Sequence, residues 1–144
     1  MAITTNAICN SFKKELLEAK HDFTQTTGDK FKLAMYTSSA TLGKSTTSFT
    51  TGNQVTSPSG YTSGGGALVN TGTSIASNTA ITDFADLSFT NVTLTARGAL
   101  IYNTSNSNSA VAVLDSGGDK TATSGTFTIQ FPAFTTSAAI LRIA

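Results

Sequence analysis

The chain has no tryptophan, one cysteine, one histidine and two prolines in 144 residues, and only 12% of it is charged. Each scarcity closes a door. A lone Cys9 cannot form a disulfide within the chain, and Cys9 with the lone His21 cannot build a Cys/His zinc site. A formal net charge of +1 excludes a basic nucleic-acid binder and an acidic tail. No apolar run approaches the ~20 residues of a membrane helix. The first residues lack the basic start and apolar run of a secretory signal, so the expected setting is a reducing compartment, with any release by lysis. Without tryptophan, and with 8% aromatics, a carbohydrate-binding face is poorly supplied.

Catalytic chemistry is equally thin. The carboxylates fall in scattered pairs: Glu15 with Glu18, Asp83 with Asp86, Asp115 with Asp119. Asp115 and Asp119 flank two glycines, but the alternating oxygen ligands of a calcium loop are missing, and both read as turn aspartates. His21 precedes Asp22, yet adjacent residues point apart and no nucleophile accompanies them, so His21 reads as a hydrogen-bonded loop residue. Gly64, Gly65 and Gly66 lack the Lys-Ser/Thr and helix of a phosphate loop, and instead mark a turn or bulge entering a strand. The sequons at Asn91 and Asn103 are discounted for want of a secretory signal. No catalytic, cofactor-binding or metal-ligating residue is assigned.

What the chain has in quantity is Thr, Ser, Asn and Gly around short apolar alternations. Thr suits strands because it is β-branched; Ser, Asn and Gly suit turns. A length of 144 residues is enough for one domain with a core, spanning the whole chain. One helix is expected, at about 6–19, with Ile8, Phe12 and Leu16 on a stripe and Thr5 or Asn6 as N-cap. Residues 31–37 alternate as a strand. Residues 38–82 form a sparse excursion, with short strands expected near 54–56, 66–71 and 80–84, an extended stretch at 46–52, and a turn at Pro58 and Gly60. Its few large side chains imply that a neighbouring surface orders it.

Residues 86–96 read as a strand whose inward parity switches near Thr90 and Asn91, which implies a bulge or a change of sheet. The apolar runs 99–102 and 110–114 form a central hairpin. Arg97, at its start, should pair with Asp86, Asp115 or Asp119. Residues 116–120 read as a turn, 125–131 as a strand ended by Pro132, and 138–143 as the last strand. The fold class is therefore mainly β: an antiparallel β-sandwich or jelly-roll-like domain with one N-terminal helix. The expected core is Phe12, Leu16, Phe31, Leu33, Leu94, Leu100, Ile101, Val111, Val113, Phe127, Ile129, Phe131 and Ile140.

The apolar blocks fall in a distinctive order: FKKELL from Phe12, HDFT from His21, FKLAMYT from Phe31, GYTSGG from Gly60, ARGALIYN from Ala96, AVAVLD from Ala110, GTFTIQFP from Gly125 and ILRIA from Ile140. In this order they resemble a group of small virion proteins of tailed bacteriophages, over nearly the whole chain. Ser116 and Phe89 depart from that pattern, which has an aromatic and a tryptophan there. The resemblance implies a non-enzymatic particle component located in the virion. The expected role is a capsid decoration or cement protein, a dimer or trimer that contacts the major capsid protein or other virion proteins, and that touches neither nucleic acid nor membrane. A tail or neck component, such as a fibre, knob or adaptor, and a receptor- or glycan-binding module are the alternatives. An uncharged surface, with little repulsion between molecules, fits a packed existence.

Overall fold

Two long strands dominate the architecture, where the alternation of the sequence marks four short ones. The computed structural model describes residues 3–56 and 60–144. In chain order its elements are β1 (Ala7–Ile8), α1 (Asn10–Leu17), β2 (Phe31–Tyr36), β3 (Gly66–Ala67), β4 (Asn70–Ala76), β5 (Thr79–Phe84), β6 (Leu87–Asn103), β7 (Ser109–Ile129) and β8 (Leu141–Ile143). A five-stranded sheet has the order β1-β7-β6-β2-β3, and a three-stranded sheet the order β4-β5-β8; all pairings are antiparallel. The class is mainly β, with two antiparallel sheets in a sandwich-like arrangement and one short N-terminal helix, as the sequence implies.

Residues 86–96 and 99–102 are one strand, β6, because Gly98 does not break it. A Cβ there would lie 2.4 Å from the Leu114 carbonyl oxygen and 2.7 Å from Cδ1 of Ile3, so glycine lets two neighbours close on the backbone. The turn expected at 116–120 is likewise internal to β7. Ladder pairs Gly98–Asp115 and Ala96–Lys120 leave residues 116–119 opposite Arg97 alone. This is a large bulge, with Gly117 at φ 74° and the Ser116 hydroxyl donating to the Arg97 carbonyl. The parity switch near Asn91 is a bulge too: the register shifts between Phe89 and Val92, and Asn91 sits at φ 53°.

The helix is shorter than the expected 6–19. Ala7 and Ile8 pair with Val113 and Ala112 of β7, and the Cys9 amide donates to the Val111 carbonyl at 3.0 Å. Backbone groups committed to a sheet cannot start a helix, so Cys9, not Thr5 or Asn6, is the N-cap, with no side-chain capping bond. Asn6 instead accepts the Asp115 amide on Oδ1 at 2.6 Å.

Within the excursion, residues 54–56 make only an isolated bridge from Gln54 to Tyr36. The strand expected at 66–71 divides into β3 and the start of β4. A hairpin joins β4 to β5 through Ser77 and Asn78, both left-handed at φ 48° and 70°, as a two-residue turn of this kind requires. Pro58 lies outside the described residues. The excursion is tied down by polar contacts as well as by buried Ala40, Val55, Tyr61 and Leu68. The Tyr61 hydroxyl accepts the Met35 amide at 2.9 Å and donates to Gln54 Oε1 at 3.0 Å; Gln54 Oε1 also accepts the Gly64 amide at 2.6 Å. Tyr102 donates to the Gly64 carbonyl at 2.6 Å. Through these contacts residues 38–56 and 60–82 are attached to this chain's own core.

Of the expected core, Phe12, Phe31, Leu33, Leu94, Leu100, Ile101, Val111 and Val113 are buried. Leu16, Phe127, Ile129, Phe131 and Ile140 pack on that core but are only partly buried. Phe84, at the end of β5, joins the sheets: its ring lies 5.6 Å from Phe31 of β2 and 5.7 Å from Phe131 beyond β7. The last strand covers Leu141–Ile143 rather than 138–143, since Ala138 and Ala139 turn back to donate to the Thr135 carbonyl.

Candidate assembly interface

The outer edge of β7 is open over most of its length. Its inner side pairs with β6 from Ser109 to Ile129, whereas its outer side is covered only up to Asp115: Ser109 and Ala110 meet Ser48 and Thr47, the Val111 carbonyl accepts the Cys9 amide, and Ala112 and Val113 pair with β1. The Asn6 side chain extends this cover to Asp115. Beyond it, residues 116–129 have no strand neighbour among the described residues; measured along the partner strand from Gly98 to Leu87, this edge is roughly 36 Å long at about 3.3 Å per residue. Proteins blunt such edges with charge, proline or bulges. Here the bulge at 116–119 and Lys120 guard one end and Pro132 follows the other, but residues 121–129, TATSGTFTI, carry no charge and no proline.

A trough of about 730 Å³ follows this edge. Ala122, Phe127, Ile129 and Phe131 line its long side, with Met35, Leu114 and Ile140 among the residues that close it. At one end Arg97 Nε meets Asp115 Oδ1 at 3.3 Å, the pairing expected of one of the three aspartates. Asp115 Oδ1 also accepts the Gly117 amide, so this carboxylate is spent on holding the bulge. Edge and trough together offer unpaired backbone groups beside a carbon-rich wall, the geometry that an added strand uses. The sequence hid this edge because the glycines at 117 and 118 read as a chain reversal, cutting β7 in two.

The remaining chemistry-bearing residues are structural in their contacts. His21 is buried, with Nε2 at 2.6 Å from Glu15 Oε2 and Nδ1 at 2.9 Å from Asn103 Nδ2. Its ring lies 4.8 Å from that of Phe12. Asp22 turns elsewhere: the Thr24 hydroxyl and amide hold its carboxylate below the usual range. Cys9 is buried and its thiol is pushed up to about 11, first by burial and then by the charge of Glu15, the opposite of a reactive cysteine. Gly64 and Gly65, at φ 95° and 82°, form the turn that enters β3. No group of acidic, histidine or cysteine side chains able to hold a metal occurs among the described residues. Asn103, in the second sequon, is fully buried. Among the described residues no helix is long and apolar enough to cross a membrane.

Comparison with family models, with curated proteins and with solved structures returns no match.

Proposed function

We propose that the protein is a non-enzymatic structural component of a tailed-bacteriophage particle, a decoration or cement protein that stabilises the capsid by strand addition at β7. The observation that carries the reading is the uncharged, unpaired edge at 121–129 beside its apolar trough. Main-chain hydrogen bonds along such an edge supply affinity, while pockets beside it select side chains. Low surface charge and the resemblance of the sequence blocks to virion proteins support the same reading. The partner is the major capsid protein or another virion protein, and the unit that docks is a dimer or trimer of this chain.

Cryo-electron microscopy of the parent particle tests it. The expected result is a copy number in the hundreds, with β7 hydrogen-bonded to a neighbour. A copy number of six or twelve would move the protein to the tail or neck. The double variant Thr123→Lys and Thr126→Lys, which puts charge on the edge, should fold normally and lose particle binding. Undiminished binding by that variant would sink the assignment of the edge.

A further inference from the structure

The open part of β7 presents its backbone in a fixed pattern. The Phe131 amide donates to Asp86 Oδ1 at 2.8 Å, on the β6 side. Backbone groups along an antiparallel strand alternate between its two sides. Phe127 and Ile129, paired with Phe89 and Leu87, therefore direct their amides and carbonyls toward β6. Thr126 and Thr128 direct theirs outward, to the side with no strand neighbour among the described residues.

The two faces of this edge differ in chemistry. Residues directly opposite each other in a sheet share a face. Leu87 and Phe89 pack on the core, the Phe89 ring 5.3 Å from that of Tyr61, so Ile129 and Phe127 face the same way, into the trough. The other face carries hydroxyls: Ser88 meets Thr128 and Thr95 meets Thr121, each at 2.8 Å between side-chain oxygens. A strand laid along the edge puts every second side chain over Phe127 and Ile129, where a large apolar group removes carbon from water. The side chains between them fall beside Thr126 and Thr128, where Thr or Ser extends the hydroxyl row.

The ends of the edge differ in charge. Asp115 and Lys120 are the charged residues that line the trough, and Asp115 is held by Arg97. Lys120 is exposed and has no ion pair among the described residues. Asp119 is beside it in the chain but does not line the trough. Asp86 stands at the opposite end, beside Phe131. An acidic residue on the added strand is therefore favoured at the Lys120 end and disfavoured at the other.

We propose that β7 selects an extended partner segment of alternating large apolar and Thr or Ser residues, antiparallel to β7, with an acidic residue at its C-terminal end to meet Lys120. This rests on the reading of β7 as an edge that takes an added strand, and names the chemistry of that strand. The test is NMR titration of the full chain with a synthetic peptide of about twelve residues, enough to span the edge, that alternates valine and threonine and ends in two aspartates. One control peptide has asparagine for aspartate, and another has serine for valine. The first peptide should bind saturably, with the Thr126 and Thr128 amides gaining protection from exchange and those of Phe127 and Ile129 unchanged. The asparagine peptide should bind about two- to fivefold more weakly, a difference that vanishes in Lys120→Gln and in ~1 M salt. The serine peptide should bind at least about tenfold more weakly. Equal affinity for the aspartate and asparagine peptides, or for the valine and serine peptides, overturns the selection while new protection at Thr126 and Thr128 still upholds strand addition. Absence of saturable binding overturns the proposal. So does protection of those two amides that rises with the concentration of the free chain, which makes a second copy the occupant. The peptide comparisons on the unmodified chain decide the matter even if Lys120→Gln misfolds, and the copy number on the particle decides the capsid assignment separately.

Discussion

Asn103 donates through Nδ2 to Nδ1 of His21 at 2.9 Å, across 82 residues of chain. The amide orientation is fixed by its other half: Oδ1 accepts the amides of Ser105 and Asn106 at 2.9 and 3.2 Å. The nitrogen must therefore face the ring, so Nδ1 accepts and the imidazole proton is on Nε2, directed at Glu15. Asn103 Nδ2 also reaches Asp29 Oδ2 at 2.7 Å. One side chain thus ties the helix, the following loop and the β6–β7 turn. Asn103→Ala should cost about 2–4 kcal/mol in urea denaturation, because several buried partners lose their hydrogen bonds at once. A loss below ~1 kcal/mol would mean that the network is ornamental. Long-range proton–nitrogen NMR correlations should show the Nε2–H tautomer.

The aromatic core separates into two grades. Phe31 is 1% exposed and stacks on Phe23 at 4.6 Å, so Phe31→Ala should cost ~3–5 kcal/mol. Phe127 lines the open trough and is only partly buried. Its truncation should cost about 1–2 kcal/mol, in proportion to the smaller area it removes from water. Equal losses in chemical denaturation would show that the trough is closed in solution.

What could be read in advance follows from which signals are local. Alternation at Phe31, Leu33 and Met35, the parity switch at Asn91 and the pairing of Arg97 with an aspartate all depend on near neighbours or on charge, and the structure contains each of them. The helix start failed because Ala7 and Ile8 answer to β7, more than 100 residues away, and not to their own periodicity. The β4–β5 hairpin was missed because Ser77-Asn78 lacks the glycine that usually marks such a turn. The open edge depends on what is absent beside β7, which no local pattern shows.

The helix ends on a strained residue. Lys20 donates to the Glu15 carbonyl and Ala19 to that of Leu16, the paired bonds of a Schellman ending, with Ala19 at φ 57° in the position where glycine is favoured. Ala19 is exposed and packs on nothing that its methyl must serve. Ala19→Gly should therefore stabilise the protein by about 0.5–1 kcal/mol, the relief of the left-handed strain outweighing the added chain entropy. A lowered melting temperature would show that the ending frays in solution.

Asp83 is buried in β5, with Oδ1 accepting the Phe84 amide at 2.8 Å and Oδ2 unpartnered. Burial, and to a lesser degree the charge of Asp86, raises it above its ordinary value of 3.8, against the opposing pull of the Phe84 and Ile140 amides. A raised carboxyl holds its proton longer in the folded state, so its contribution is fully present below 3.8 and is lost as pH rises through the raised folded value. Above that window the ionised group weakens the fold. Asp83→Asn should raise the melting temperature at neutral pH, with the advantage shrinking as pH falls below 4. A pH-independent difference between the two proteins would assign the effect to packing, not to ionisation.

Gly65 and Gly117 share a left-handed backbone, at φ 82° and 74°, but not a neighbourhood. A Cβ on Gly65 would lie 1.8 Å from the Leu33 carbonyl oxygen and 2.7 Å from the Ala34 Cα, backbone atoms of a central strand that cannot step aside. A Cβ on Gly117 would meet nothing within 4 Å. Gly117→Ala should thus cost only the conformational strain, about 1 kcal/mol. Gly65→Ala should cost more than ~3 kcal/mol, since the turn must move away from β2. That movement also pulls Gly64 from Gln54 and Tyr102, to which it is bonded at 2.6 Å each. Hydrogen exchange at the Met35 and Gly64 amides should rise sharply in Gly65→Ala and stay unchanged in Gly117→Ala. Similar stability in the two variants would mean that the close approach of the glycine turn to β2 does not exist in solution.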